Sequence, residues 1–203
     1  MSEEDFAQLQ FADAAPVPKG RPWPRYFARM LDLMLFGIIG MILLTIVLLI
    51  VTRDGLDRFT AMTSGFGGTL LSNIVSIVLA APFVALFIGL GQTPGKWLYG
   101  IRVRNRDGSR IGLAKALKRE AWVIARGLAF GIPLLSLGTL VMSYSTLKDD
   151  GITSWDKAFD CDVQHAPKTW FWWARATFGA LVFLTMSLGG YFILLKSMAS
   201  GQG

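Results

Sequence analysis

The sequence predicts an all-α membrane protein. The expected fold is a bundle of three to four transmembrane helices, with a third segment that either spans or re-enters as a hairpin. A small cytoplasmic element, a basic strand followed by an amphipathic helix, completes it. Three observations carry this expectation. Of 203 residues, 53% are hydrophobic and only 17% charged, below the roughly 25% usual for a soluble domain. The mean hydropathy is +0.47, which also excludes a disordered chain. The apolar residues fall in long unbroken runs, and a hydrocarbon core about 30 Å thick needs roughly 20 of them in a helix.

The chain begins with an acidic, proline-containing leader over residues 1–24 (Glu3, Glu4, Asp5, Pro16, Pro18, Pro22, Pro24). A cleavable signal needs a basic start and an early short apolar core, so none is expected. The first apolar run is Leu33–Val51, 19 residues without a charge. The second has its apolar centre at Leu70–Leu90, inside a stretch uncharged from Phe59 to Gly95. Lys19, Arg21, Arg25 and Arg29 precede the first run. Lys96, Arg102, Arg104, Arg106, Arg110, Lys115, Lys118 and Arg119 follow the second, and only Arg53 and Arg58 lie between the runs. That excess places the N-terminus and residues 91–120 in the cytoplasm.

Within 91–120, Ile101-Arg-Val103-Arg alternates apolar and basic residues, the period of a half-buried strand. Arg106-Asp-Gly108-Ser follows as a turn. Leu113, Ala116 and Leu117 then form the apolar face of a helix with Lys115, Lys118 and Arg119 around it. The basic surface over 96–119 suits anionic lipid headgroups. Phe159–Val163 is a second short strand, able to pair with Ile101–Val103 only if both lie on one side of the membrane.

The third run, Ala121–Leu147, is interrupted only by Arg126. As a span it leaves 13 basic residues inside and 5 outside; as a hairpin broken at Gly131-Ile-Pro133 the split is 15 to 3. Charge favours the hairpin and length favours the span. The fourth run, Thr177–Leu195, follows Trp170, Trp172, Trp173 and Arg175, an interfacial anchor.

Arg25, Arg29 and Asp32 stand at i, i+4 and i+7, one face of a helix. An acid just inside an apolar run needs a cation, and Arg29 is the local candidate. Arg126, deeper in the third segment, needs an acid, and an Arg126–Asp32 contact is expected. The cluster reads either as an anchor of helix ends or as a site handling an ion or solute. Gly127-xxx-Gly131 and Ala176-xxx-Ala180 allow close helix packing inside the bundle first and homo-oligomer contact second. Gly91-Gln-Thr93-Pro94-Gly95-Lys96 lacks the spacing and the Ser/Thr of a phosphate loop, so nucleotide binding is rejected. Asp149, Asp150, Asp156, Asp160 and Asp162 read as a solvated acidic loop rather than a cation site. Cys161 lies among acids and has no reason for a depressed pKa. With the lone His165 there is no nucleophile–base pair and no metal quartet. Catalysis, cofactors, metals and nucleic acid are therefore not expected.

Arg25-Tyr-Phe-Ala28-Arg-Met-Leu-Asp32 resembles the first motif of the RDD family of bacterial membrane proteins, named for an arginine and two aspartates. Gly91 through Lys96, Gly100-Ile-Arg-Val103, Asp107-Gly108 and Arg119 resemble the second. Trp155-Asp156-Lys157 and Cys161-Asp-Val163 resemble the third, with Asp160 and Cys161 where the family usually has Gly and Thr. The resemblance covers about residues 20–165 and implies the triad Arg25, Asp32 and Asp156. It divides the chain into the leader, an RDD-like membrane domain over 25–165, and an additional helix with a short tail over 166–203. It implies a bacterial inner-membrane protein, either assisting transport or serving as an assembly factor in a larger complex; in the second case the additional helix at 177–195 is expected to dock on the partner. It also tips the third segment towards the hairpin, because Asp156 would have to return to the face of Arg25 and Asp32.

Overall fold

The computed structural model describes residues 21–52 and 54–199. The leader up to residue 20, Arg53 and the tail from residue 200 lie outside the described residues, so the expectations placed on them are not addressed by it. In chain order the elements are helix α1 (Pro22–Val51), α2 (Gly55–Met62), α3 (Gly65–Leu90), α4 (Pro94–Leu98), strand β1 (Ile101–Asn105) and α5 (Leu113–Trp122). A π-helical turn (Val123–Gly127), a 3-10 turn (Ala129–Gly131), α6 (Pro133–Asp149), α7 (Ser154–Ala158), β2 (Cys161–His165) and α8 (Trp170–Ala199) follow. Three helices, α1, α3 and α8, are long and apolar enough to cross a membrane.

Helix α1 begins on Pro22, eleven residues before the apolar run, because proline pre-sets the first helical φ and nothing later breaks the pattern. Arg25, Arg29 and Asp32 therefore do sit on one helix. Against α3, α1 presents Phe36, Gly37 and Gly40; a Cβ on Gly37 would overlap Ser76 Oγ, and one on Gly40 would lie 2.7 Å from Leu79 Cβ. These two glycines make the close crossing that small residues permit. The pairs singled out from sequence pack differently. Gly127 lies under the Trp155 ring and Gly131 against Ile77 and Asn73. On α8, Ala176 is buried with Gly179, which touches Tyr99 and Leu31, while Ala180 is exposed.

The third segment is a hairpin that leaves and returns at the same end of the bundle. Ala129, Phe130 and Gly131 all have positive φ, and Pro133 opens α6. A broken backbone at such depth needs partners from the protein. Asn73 Nδ2 donates to the Gly131 carbonyl at 3.0 Å, Thr139 Oγ1 donates to the Gly127 carbonyl at 3.1 Å, and Ser136 Oγ donates to the Leu128 carbonyl.

The return brings β2 alongside β1 in an antiparallel ribbon centred on Val103 opposite Val163. The second strand is Cys161–His165 rather than Phe159–Val163. Phe159 instead caps α7, and Asp160 takes a left-handed φ of 48° to turn the chain into the strand. Asp and Asn tolerate this region better than most residues.

The amphipathic helix, α5, is also turned differently from its pattern. Its buried face is Ala116, Arg119 and Glu120, and Leu113 and Leu117 are exposed. The charged side chains win the interior because their partners are there, as described next. Ile88, Val84, Phe36, Val103, Ile111 and Ala116 form the core between α3, the ribbon and α5. A second cluster, Ala28, Leu31, Tyr99, Ile101, Trp172 and Ala176, seats α8 on α1, and the Trp172 indole N–H donates to the Tyr99 carbonyl at 2.9 Å.

Candidate functional site

At the ribbon end of the bundle, seven charged side chains from α1, α4, α5 and α7 gather, Asp32, Lys96, Arg119, Glu120 and Asp156 buried and Arg25 and Arg29 partly so. Asp32 is fully buried in α1. Its Oδ1 accepts from the Gly95 backbone N–H at 2.7 Å, and its Oδ2 accepts from Thr93 Oγ1 at 2.5 Å and Lys96 Nζ at 3.4 Å. Gly91, at φ 142°, ends α3, and Thr93 then caps α4 with Pro94 at its first position. The backbone thus turns the Gly95 N–H, the hydroxyl and the ammonium towards one carboxylate. The loop rejected as a phosphate cradle does hold an anion, the protein's own Asp32. Burial pushes the Lys96 ammonium below its ordinary pKa, against the opposing pull of Asp32 and Glu120.

Asp156 is the second hub. Arg119 donates to its Oδ1 through Nε at 2.9 Å and Nη2 at 2.6 Å, Arg25 Nη1 donates to Oδ2 at 3.1 Å, and Thr153 Oγ1 donates to Oδ2 at 2.7 Å. Burial alone would raise this carboxyl. The Arg119 and Arg25 guanidinium groups, with the hydrogen bonds from Thr153 and Arg119, hold it below the usual carboxylate range.

Glu120 is the third hub and was not singled out from the sequence. It accepts from Arg29 Nη1, and from Arg119 Nη1 at 3.1 Å. Burial raises it, but Arg29, Lys96 and Arg119 together bring it below its ordinary value. Arg25 Nε also donates to His165 Nε2 at 3.2 Å, so that ring nitrogen is unprotonated. Burial, with Arg25 and Arg21 nearby, lowers the His165 pKa to about 3.

Several expected pairings are therefore corrected. Asp32 is held by Lys96 and not by Arg29, which points to Glu120 one helix away. Arg126 does not reach Asp32; it is exposed, and its guanidinium lies 4.0 Å over the Trp122 ring. The π-helical turn rotates Arg126 out of the bundle, and the cation–π contact serves it at the surface. Asp156 does not belong to a solvated loop, although Asp149, Asp150, Asp160 and Asp162 are exposed as expected. Of the implied triad, Arg25 and Asp156 meet directly, while Asp32 is held separately by α4. Gly100, at φ 60°, turns the chain into β1 with its Cα facing Ala166 and Trp172. Burial raises the Cys161 thiol pKa, in keeping with the expectation for it. Among the described residues no three His, Cys, Asp or Glu side chains gather to hold a metal ion.

One signal for the missing pairings was present in the chain. Thr93-Pro-Gly-Lys96-Trp-Leu-Tyr99-Gly100-Ile-Arg-Val103 and Thr153-Ser-Trp-Asp156-Lys-Ala-Phe159-Asp160-Cys-Asp-Val163 align at a constant offset of 60 residues. Each is a Thr cap, a short helix with a charge at its third position, a left-handed residue and a strand. The ribbon relates them by a local two-fold centred on Val103 and Val163. The charge at the equivalent position is reversed, so Lys96 seeks an acid on α1 and Asp156 seeks arginines on α1 and α5.

Three helices long and apolar enough to cross a membrane, with a buried ionic hub at one end of the bundle, define a multi-pass membrane protein. The RDD family model matches residues 19–202, and the chain belongs to the RDD family. That match continues through 177–195, which the motifs alone had left outside the family core. A comparison with curated proteins found no match, and one with solved structures found none.

Proposed function

We propose that this chain is a non-catalytic accessory or assembly subunit of a larger complex in the bacterial inner membrane, with its N-terminus and ribbon in the cytoplasm. One observation carries the reading. Each carboxylate of the hub is committed to cations and hydroxyls of neighbouring elements, so none is left to carry an ion or proton. Removing one partner from a buried pair of this kind costs about 3–5 kcal/mol, which suits a lock that holds α1, α4, α5 and α7 in register. Leu184, Leu188 and Phe192 on the far half of α8 are exposed and supply a helix face for another membrane subunit. The orientation rests on the excess of Lys and Arg at the ribbon end.

Transport of an ion or small solute at the cytoplasmic mouth is the second reading, and the four cations gathered there favour it. Asp32→Asn separates the two. As a lock, the variant is depleted from the membrane and its melting temperature in detergent drops. As a transport residue, it leaves abundance intact and abolishes flux. Mass spectrometry of material extracted in mild detergent tests the partner directly, and Leu184→Trp with Leu188→Trp is expected to release what co-purifies.

A further inference from the structure

A cavity of about 510 Å³ lies between the start of α1, the ribbon, α5 and α6. Arg25, Arg29, Lys96 and Arg119 line it, whereas Asp32, Glu120 and Asp156 do not. The ionic network is thus polarised: its carboxylates are turned into the protein and its cations border the open space. With His165 neutral, four cations face three carboxylates, and the hub carries one uncompensated positive charge. Arg29 gives Nη1 to Glu120, while its Nε and Nη2 are buried without an acceptor. Leaving guanidinium N–H groups so is costly unless something supplies one.

The remaining lining indicates the kind of anion. Met30, Val123, Leu140 and Val141 make the walls apolar, and Trp23, Leu137 and Val141 at the rim are exposed. A small free anion would satisfy the arginine and leave these walls wet. An amphiphile satisfies both, and the volume lies in the range of ligand cavities, about 300–1,000 Å³.

We infer that the cavity holds one anionic phospholipid from the leaflet at the ribbon end, its phosphate at Arg29 and an acyl chain running out between α1 and α6. The site is independent of whether the chain is an accessory subunit or a transporter. It differs from a basic surface resting on headgroups in taking a single lipid at a single place.

Native mass spectrometry of the delipidated full chain tests it, with phosphatidylglycerol, phosphatidylcholine of the same acyl chains and inorganic phosphate as probes. One phosphatidylglycerol per chain is expected to survive activation that strips phosphatidylcholine. Inorganic phosphate at equal concentration should not displace it. Val141→Trp, which fills the mouth without touching the ionic network, should abolish the adduct. Arg29→Lys, which keeps the charge and loses the fork, should weaken it about fivefold. Equal retention of the two lipids, displacement by phosphate or an undiminished adduct in Val141→Trp each overturn the proposal. If Arg29→Lys does not fold, the lipid comparison and Val141→Trp decide it alone.

Discussion

His165 is the only histidine of the chain, and its ring is kept neutral by burial and by the Arg25 guanidinium beside it. A base whose pKa is lower folded than unfolded makes stability fall as the pH falls. Below about 6.5 the unfolded chain takes up a proton that the folded ring refuses until about pH 3. The hub carboxylates Glu120 and Asp156 have lowered pKa values. Their contribution is intact above the ordinary carboxylate range and is lost as the pH falls through their folded values. Acid destabilisation should therefore begin near neutrality because of His165 alone. Melting of the detergent-solubilised protein between about pH 7 and about pH 5 should show a falling midpoint, and His165→Gln should flatten it. A slope unchanged by the substitution would assign the effect elsewhere. Tyr26 packs edge-on against both Trp23 and Phe27 on the first turns of α1.

At the scale of elements, the sequence was most legible where the signal is local. The alternation of Ile101-Arg-Val103-Arg reads as a strand and the structure places β1 there, whereas the cap and short helix α4 over 93–98 are not read from Gly91–Lys96. The break at 131–133 was legible from a local signal too. Orientation about a helix axis was not. An apolar face on Leu113, Ala116 and Leu117 was the better pattern for α5, yet the helix rotates to bury Arg119 and Glu120, because Asp156 meets the first inside and Arg29 meets the second. In a membrane protein Leu113 and Leu117 lose little by facing outward, whereas an unpaired buried Asp156 would lose much. The α1–α4 contact is equally demanding. A Cβ on Gly95 would overlap the Ala28 carbonyl oxygen and lie 2.8 Å from Asp32 Oδ1. Gly95→Ala should cost about 1–3 kcal/mol by overpacking, read as a lower melting temperature. Gly112→Ala, where a Cβ meets open space, should cost far less. Equal losses would mean that α4 does not press on α1.

For the whole molecule, the antiparallel ribbon requires residues 101–105 and 161–165 to share one side of the membrane. Cys161 is itself too buried to report on this. In a Cys161→Ser background, Lys118→Cys and Lys157→Cys, both exposed, should react alike with an impermeant thiol reagent, and Arg58→Cys should react oppositely. Intact cells should label only Arg58→Cys if the ribbon faces the cytoplasm. Labelling of Lys157→Cys together with Arg58→Cys would mean that the third segment spans, and the ribbon would be lost with it.

The one-dimensional pattern was enough to determine which stretches are apolar enough to cross a bilayer, which end gathers the basic residues and where the chain turns. Each of these depends on neighbours in the chain or on simple sums of charge. Only the tertiary structure decided which cation meets which acid. Arg25, Arg29, Lys96 and Arg119 could be matched to Asp32, Glu120 and Asp156 in many ways with the same total charge. The path of the hairpin and the two-fold ribbon bring one arrangement within hydrogen-bonding distance, and buried ions are stabilised only by the partners they actually touch.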